Sequence, residues 1–205
     1  MAKPSRVADA EPLSKSEQTR RRLLEGAMAS FSEFGFHGTS TRHIAAAAGM
    51  SPAAVYVHYS SKEELLYRIS RYGHETILAA VKDAASASDD PVVQLREFAR
   101  ELASYHADKH VSARVVNYEL AALEPDHRDE IVAIRKQIDA VLAEILARGI
   151  ERGVFATPDP SMAAVSIVGS SIDIARWFRD DGAWTSADVG EFYADAALRI
   201  AGFTT

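Results

Sequence analysis

The chain has 205 residues, of which 47% are hydrophobic and 25% charged, which is typical of a globular protein that can bury a core of useful size. It contains no cysteine, which excludes disulfides, thiolate catalysis and cysteine-ligated zinc. No apolar run approaches membrane-spanning length and the first residues contain no apolar signal region, so the sequence predicts a cytoplasmic protein.

The net charge of −6 is unevenly distributed along the chain. Residues 1–72 carry ten Lys/Arg and seven Asp/Glu, a balance of +3, whereas residues 73–205 carry 13 and 22, a balance of −9. A basic N-terminal part on an acidic remainder indicates that only the former meets a polyanion. The alternative is a chance asymmetry that includes a basic tail.

The N-terminal pattern predicts a tail and two helices. Residues 1–14 lack hydrophobic periodicity and predict a disordered tail. From Ser16 the pattern becomes helical, and Gly35 is a natural stop for this first helix. Ser40 or Thr41 can cap a second helix, which Gly49 ends. The first helix presents one apolar face, which consists of Leu23, Leu24, Ala27, Met28, Phe31 and Phe34.

Two further helix starts follow directly. Ser51 precedes Pro52 as cap and first helical residue of a third, short helix. Ser61 and Glu64 form the pattern of a capping box, and an apolar stripe at Leu65, Leu66 and Ile69 begins a fourth helix.

The rest of the chain also reads as helix. Acidic-residue–proline pairs predict three starts, at Asp90-Pro91, Glu124-Pro125 and Asp159-Pro160. A loop lies between Gly153 and Pro158, the chain breaks near Gly182, and Thr185 with Asp188 can cap the last helix. The run "VSARVV" at Val111 could pass as a strand, but its flanks are helical. The sequence predicts an all-α fold of about nine helices, with a three-helix front domain at residues 15–60 and a helical body at residues 61–205 for ligand binding and dimerisation.

The second and third helices form a helix-turn-helix pattern. In such a motif the second helix lies in the DNA major groove and presents its N-terminal residues to base edges. Ser51, Pro52 and Ala53 are small enough for close approach, whereas Tyr56, His58 and Lys62 are types that reach phosphates. Tyr59, beside apolar neighbours, is predicted to pack inward. The alternative is that Tyr56 is also a core aromatic and that His58 is merely exposed.

The segments "FSEFGFHGTSTRHIAAAAGMS" and "VYVHYSSKEELL" resemble the tetracycline-repressor family of bacterial regulators, over about residues 17–70. The resemblance implies a repressor-like dimer that binds double-stranded DNA and has its effector pocket in the body. It implies that Thr41 and Arg42 touch phosphate or the groove edge and that Ser51 and Ala53 approach bases. It also implies that Tyr56, His58 and Lys62 clamp the DNA backbone. Val57 departs from the aromatic or polar residue common there, and apolar contact with a thymine methyl would follow.

The arginine run at residues 20–22 has two interpretations. It can contact phosphates or the minor groove, as flexible basic arms do. It can equally be a solvated helix start, since charge runs are usually soluble surface.

Polar groups set among apolar residues mark candidate effector contacts in the body, because small-ligand pockets are mostly apolar with a few convergent polar groups. The alternative for each residue is a surface or structural role. The candidates are Arg114, Asn117, Tyr118, Asp173, Arg176 and Trp177, with Tyr105, His106, Ser170, Arg179 and Trp184 nearby in the sequence. The segment "RWFRDDGAWTSADVGEFY" is similar to family members that respond to coenzyme A thioesters. That similarity implies phosphate contacts from Arg176 or Arg179 and apolar contacts from Trp177 or Trp184.

No metal site, cofactor or catalytic centre is predicted. His106 and His110 have a spacing that can bind a metal, but no carboxylate is placed to complete the site, so we expect two solvated histidines. Phosphate-binding glycine loops, nucleophile elbows and zinc-helix motifs are all missing. The competing hypotheses are a helical ligand-binding or interaction protein that does not bind DNA, and an enzyme of unrecognised type.

The last two helices are the predicted dimer seam, because each carries an apolar stripe. The alternative is that both stripes only close the monomer's own core. The stripes consist of Met162, Val165, Val168, Ile172 and Ala175, and of Val189, Phe192, Tyr193, Ala196 and Ile200. The helix that starts near Ser61 joins front domain and body, and Gly73 is its predicted flexible point. An apolar effector, such as an acyl-coenzyme A thioester, is expected to shift that helix and release a near-palindromic operator.

Overall fold

The computed structural model describes residues 14–203, and within that range the chain forms nine α-helices, one short 3₁₀ helix and no strand. The predicted all-α class and helix number are therefore confirmed. The α-helices are α1 Lys15–Gly38, α2 Thr41–Ala47, α3 Pro52–His58, α4 Lys62–Ser86, α5 Pro91–Asp108, α6 His110–Tyr118, α7 Pro125–Glu151, α8 Pro160–Trp177 and α9 Ser186–Ile200, and the 3₁₀ helix is Leu120–Ala122. Within this described part of the chain, no helix is both long and apolar enough to cross a membrane.

The predicted tail, residues 1–14, lies outside the described residues except for Ser14. Its hydroxyl accepts a hydrogen bond from the Glu17 N–H at 3.2 Å, and the Glu17 carboxylate accepts one from the Ser14 N–H. This capping box begins α1.

Serine residues precede the front helices as predicted, but Gly35 kinks α1 instead of ending it, and α1 continues to Gly38. Ser40, rather than Thr41, caps α2, and Ser51 precedes Pro52 at the start of α3. Gly35 and Gly49 have φ values of 68° and 64°, which glycine adopts without steric cost. Ser61 caps α4, but the Glu64 carboxylate binds the amide of Ser60, so no reciprocal box forms there.

In the body, Asp90 and Asp159 cap α5 and α8, and Thr185 forms a capping box with Asp188 at α9. Glu124 precedes α7 without a side-chain cap. The run at Val111 is helical. The break between α5 and α6 falls at Lys109, and it was not predicted because no glycine or proline lies there in the sequence.

Two main apolar clusters hold the helices together. One joins the front helices to α4, α6 and α7, through Leu23, Ile44, Leu65 and Ile131, which are fully buried. The other fills the body around Phe98, between α4, α5, α7, α8 and α9. Because the first cluster contains residues from both sides of residue 60, the packing is continuous across the predicted domain boundary.

Candidate nucleic-acid interface and effector cavity

The helix-turn-helix is held together by a close approach of α1 to α2. A Cβ added at Gly26 of α1 would lie 2.8 Å from the Ile44 carbonyl oxygen and 2.9 Å from the Ala48 nitrogen. Only glycine permits this spacing. Arg22 reinforces the contact, because its guanidinium donates a 2.6 Å hydrogen bond to the Ala48 carbonyl at the end of α2. Arg22 thus has a structural contact, whereas Arg21 pairs with Glu25 on the surface.

Helix α3 buries Val55 and exposes most of its remaining length. Ser51, Pro52 and Ala53 are exposed at its start, and Ser51 makes no side-chain cap hydrogen bond. Tyr56 is 60% exposed and Val57 76% exposed. An exposed aromatic and valine on a seven-residue helix have no packing role within the monomer, which suits a surface that meets a partner.

The start of α2 lies beside the middle of α3. The Thr41 hydroxyl and the Tyr56 hydroxyl are 3.3 Å apart, and Arg42 is exposed. In the part of the chain that the structure describes, Arg42 makes no hydrogen bond or ion pair that would occupy its guanidinium. His58 is half-buried at the end of α3. Thr41, Arg42 and Tyr56 therefore present donors on one side of the motif.

Tyr59 and Lys62, which follow α3 in the chain, differ in their roles. Tyr59 is buried, as predicted, and its hydroxyl donates to the Arg20 carbonyl at 3.3 Å. The Lys62 ammonium donates to the Phe36 and Thr39 carbonyls, each at 2.8 Å, and lies over the Phe36 ring. With two of its three protons engaged, Lys62 holds the α1–α2 connection, and the geometry argues against the predicted phosphate contact.

A side-chain cluster ties the first turn of α4 to the start of α7. The buried Glu63 carboxylate accepts hydrogen bonds from the Glu124 amide at 3.0 Å and from His127 Nδ1 at 2.9 Å. Tyr67 stacks on His127 with 3.8 Å between ring centres. Glu63, Glu124 and His127 could together hold a metal ion, but the Glu63 carboxylate and His127 Nδ1 already bind each other. The cluster is therefore explained as a connection between helices.

The body contains an internal cavity of about 40 Å³. Helices α4 to α8 line it, with Gly73, His74, Ile77, Leu102, Tyr105, His106, Val116, Asn117, Arg135, Ile138, Asp139, Val168 and Ile172. Four of these residues, Arg135, Asp139, Val168 and Ile172, also line an open groove of about 830 Å³ between α7 and α8. The cavity thus adjoins the surface along α7 and α8.

Two buried histidines, His74 and His106, line the cavity. His74 Nδ1 donates to the Ser70 carbonyl at 2.8 Å, and His106 Nδ1 donates to the Leu102 carbonyl at 2.7 Å. Burial lowers the pKa of His74 to about 4 and also lowers the pKa of His106. Both rings are therefore neutral at pH 7. The expectation that His106 and His110 are solvated is wrong, because helix packing buries both.

A hydrogen-bonded chain crosses the cavity wall. Asn117 Nδ2 lies 3.4 Å from His106 Nε2, and the Asn117 carbonyl oxygen accepts a 3.2 Å bond from Arg135. The Tyr105 hydroxyl donates to the Gly73 carbonyl at 3.2 Å, and burial raises the pKa of Tyr105 to about 12. The cavity is thus walled by neutral polar groups with one basic residue, Arg135, and one acidic residue, Asp139.

The six predicted effector residues do not converge on one pocket. Asn117 alone lines the cavity. Arg114, Tyr118 and Arg176 line a surface cleft against α1, where Asp173 accepts a 3.3 Å bond from Tyr118. The six candidates, chosen by residue type and helical neighbourhood, thus lie in three different places in the structure.

Trp177 lies elsewhere, in an aromatic surface patch with Trp184, Phe192 and Tyr193. Trp177 is 40%, Trp184 63% and Phe192 65% exposed. On α8, Met162 and Val165 are 61% and 68% exposed, while Ala175 is buried. The two predicted stripes thus turn partly into the core and leave a broad apolar face uncovered on α8 and α9.

Several cavity residues were missed by sequence reasoning. Gly73 and His74 of α4 and Arg135 and Asp139 of α7 come from helices that had no assigned effector contact. Arg179, which was expected near the effector, donates to the Arg176 and Phe178 carbonyls instead. One signal could have pointed to His74: a histidine on an apolar helix face that carries Leu66, Ile69 and Ile77 is expected to be buried.

Comparisons with known proteins agree with this architecture. Residues 23–69 match the model of the tetR family of bacterial regulatory proteins, and residues 88–201 match the Tetracyclin repressor-like C-terminal domain. The transcriptional repressor KstR2 of Mycobacterium tuberculosis is 32% identical, over 90% of this chain and 92% of that protein.

Solved structures show the same fold. A tetR-family regulatory protein from Rhodococcus RHA1 is 36% identical and superposes with a TM-score of 0.87 over 94% of this chain and 100% of that one. AibR, solved with isovaleryl coenzyme A and operator DNA, is 29% identical, with a TM-score of 0.78 over 90% and 98%. With both parts of the chain matched, this protein belongs to the tetR family of bacterial regulators, which are DNA-binding transcription factors and not enzymes.

Proposed function

We propose that the chain is a ligand-responsive repressor that binds a near-palindromic operator as a homodimer and is released by a small apolar effector. The observation that carries this proposal is α4. Its first turns supply Leu65 and Leu66 to the core beneath the helix-turn-helix, and its middle supplies Gly73 and His74 to the cavity. One continuous helix therefore links both sites. As a chromosomal DNA-binding protein, it is expected to act in the cytoplasm.

Repression is favoured by the likeness to KstR2, which is named a repressor. An effector that binds the non-DNA form more tightly than the DNA form shifts the population away from the operator. The coupling is typically about 1–3 kcal/mol, and DNA must weaken effector binding by the same factor. Movement of α4 is the proposed carrier, with the Glu63–His127 contact holding its first turn to α7.

On the DNA side, Ser51 and Ala53 are proposed to approach base edges from the start of α3. Val57, which is 76% exposed, would meet a thymine methyl. Phosphate contacts are proposed for Thr41, Arg42, Tyr56 and His58 at the flanks of the motif.

The exposed apolar face of α8 and α9 is proposed to pair with the same face of a second copy. Two helices from each subunit would form an isologous four-helix contact that covers Met162, Val165 and Phe192. A dimer places two α3 helices on successive major-groove faces, about 34–36 Å apart or a multiple of that distance.

An acyl-coenzyme A thioester is the proposed effector class. AibR, whose solved complex holds isovaleryl coenzyme A, supports it. The cavity of about 40 Å³ suits the end of a short acyl chain, with the remainder of the ligand in the α7–α8 groove. Asp139 and Glu151 line that groove with Arg135 as the only cation in the lining, so the nucleotide phosphates must bind beyond it.

The test begins with an operator selected from random duplexes by the pure protein. Wild-type protein is then compared with Tyr56→Ala and with Tyr72→Ala, an exposed tyrosine of α4 that serves as control. We expect Tyr56→Ala to weaken binding to all sequences alike, since phosphate contacts carry no sequence information, and binding to fall steeply with salt. Normal binding by Tyr56→Ala would refute the assignment of α3.

Effector action is tested by titrating operator release with isovaleryl-coenzyme A, a free fatty acid and an uncharged hydrophobe. Release by the thioester alone supports the proposed class. Release by the fatty acid or hydrophobe would replace the thioester by that class, and failure of all three would remove the effector hypothesis while leaving DNA binding intact.

A further inference from the structure

The cavity wall holds one unpaired hydrogen-bonding atom. Among the described residues, the buried side-chain atoms with no hydrogen-bond partner are Ser70 Oγ and His74 Nε2. His74 lines the cavity, and its side chain is almost fully buried, with 4% of the residue exposed. Buried polar atoms are nearly always paired in native proteins, so an unpaired one in a cavity indicates a missing partner.

The tautomer of His74 follows from its other nitrogen. Nδ1 lies 2.8 Å from the Ser70 carbonyl oxygen, which can only accept, so Nδ1 carries the proton. In the neutral ring, Nε2 then offers a lone pair and no proton. The partner it lacks is therefore a hydrogen-bond donor.

The other buried polar groups of the cavity are already engaged, and the carboxylate of Asp139, which lies at the exposed edge, only accepts hydrogen bonds. His106 Nε2 faces the Asn117 amide, Asn117 Oδ1 accepts from Arg135, and the Tyr105 hydroxyl donates to Gly73. No donor of this set is directed to His74 by a hydrogen bond within the described chain. The lone pair is thus left for a molecule that enters the cavity.

We infer that the effector carries an uncharged hydrogen-bond donor, such as a hydroxyl, on its apolar part, and that His74 Nε2 accepts it. The inference rests on the proposed function and names the chemical class of its ligand. A hydroxylated acyl group satisfies it, whereas a keto or carboxylate oxygen would set its own lone pairs against that of Nε2.

Solvent strengthens this selectivity. The cavity has room for about three water-sized groups, since each needs roughly 10–15 Å³. A water that donates to Nε2 in the empty protein must leave when the ligand enters. A ligand group that cannot reproduce the water's hydrogen bond loses affinity, and a hydroxyl can reproduce it.

The first experiment measures affinities of full-length protein for butyryl-, 3-hydroxybutyryl- and acetoacetyl-coenzyme A by calorimetry. These probes differ in one oxygen at carbon 3 of the acyl group. The butyryl group lacks it, the 3-hydroxybutyryl group has a hydroxyl that can donate, and the acetoacetyl group has a keto oxygen that only accepts. We expect the hydroxy compound to bind at least about tenfold more tightly than the other two. Equal affinities would overturn the inference.

Two variants locate the effect. His74→Phe keeps a flat ring and removes the lone pair, so the preference for the hydroxyl should fall to about one. His110→Phe is the matched control, because His110 is also buried and bonded through Nδ1 to a backbone carbonyl, Ala107, but does not line the cavity. A preference that survives in His74→Phe would contradict the role of this residue.

A second experiment does not depend on thioesters. 2-Butanol and 2-butanone have nearly the same size, but only the alcohol donates. With ¹⁵N-histidine-labelled protein, we expect the alcohol alone to shift the Nε2 resonance that His74→Phe removes. Equal responses, or no response to either, would overturn the inference. If thioesters fail while the alcohol shifts Nε2, the thioester proposal falls and the donor inference stands.

Discussion

The front domain and the body differ in how far apart in the chain the residues lie that determine their functional features. In the front domain, neighbours in the chain set the start of α3: Ser51 and Pro52 begin it, and Gly49 ends the turn before it. In the body, the cavity is built from five helices, and Gly73 and Arg135 meet there although 61 residues separate them. Local signals can thus locate a recognition helix, but a cavity depends on how the helices pack.

The largest effect is expected at the proposed dimer face of the body. Phe192→Glu places a charge on a side chain that is 65% exposed in the monomer, so the subunit should fold but not pair. Loss of the second half-site should weaken operator binding by about a hundredfold or more. Sedimentation and operator titration measure both quantities.

Tyr72→Glu is the control for that change, because Tyr72 is 74% exposed on α4, away from the proposed seam. It should remain a dimer. A dimer that persists unchanged in Phe192→Glu would show that α8 and α9 do not form the seam.

The second effect tests the packing of the front domain. Gly26→Ala inserts a methyl within 3 Å of two α2 backbone atoms, which neither helix can avoid without a shift. We expect a loss of about 3 kcal/mol in the free energy of unfolding and a loss of operator binding. Chemical denaturation and DNA titration are the measurements.

Gly73→Ala in α4 is the matched control, since its nearest heavy atom, in Val116, would lie at 3.5 Å, an ordinary contact. It should leave stability unchanged or raise it by up to about 1 kcal/mol through helix propensity. If both alanine variants unfold alike, the close approach of α1 and α2 does not hold the motif.

The same contrast explains what the sequence could predict. The helix starts at Ser40, Asp90, Asp159 and Thr185 were predictable, because a cap and the amide it binds lie within three residues of each other. The start of α3 was predictable from Pro52 at its first position. The break at Lys109 was not, because no glycine, proline or capping side chain marks it.

Residue type alone also does not show which groups a side chain contacts. Lys62 was chosen as a phosphate contact by charge, yet two carbonyls from α1 and the following residues face it. Arg176 was chosen as an effector contact, yet it lies over the Tyr118 ring in a cleft against α1. Such partners come from distant positions in the chain, so no spacing in the sequence encodes them.

The third effect separates the two regions by pH. All described buried histidines, His74, His106 and His110, belong to the body. Burial lowers the folded-state pKa of His74 from 6.5 to about 4, so the unfolded chain binds the proton first as pH falls. The stability is complete above about pH 6.5 and is lost towards pH 4, with about 2 kcal/mol lost by pH 5 from His74 alone.

Denaturation of the full chain between pH 7 and pH 5 measures this loss. His74→Phe should reduce the slope by the part due to His74 and leave the part due to His106, whose pKa is lowered for the same reason. An unchanged slope in the variant would mean that His74 does not stay neutral in the folded protein.

The smallest effect distinguishes two residues within the front domain. Lys62→Met removes two hydrogen bonds to backbone carbonyls and should cost about 1 kcal/mol of stability without DNA, because the half-buried site lets water replace part of them. Tyr56→Phe removes only an exposed hydroxyl and should leave stability within about 0.5 kcal/mol. The affinity of Tyr56→Phe for DNA should fall severalfold, whatever the DNA sequence. Two measurements separate the two roles: thermal unfolding in the absence of DNA, and operator titration. If Lys62→Met keeps full stability but loses DNA affinity, Lys62 does not hold the α1–α2 connection.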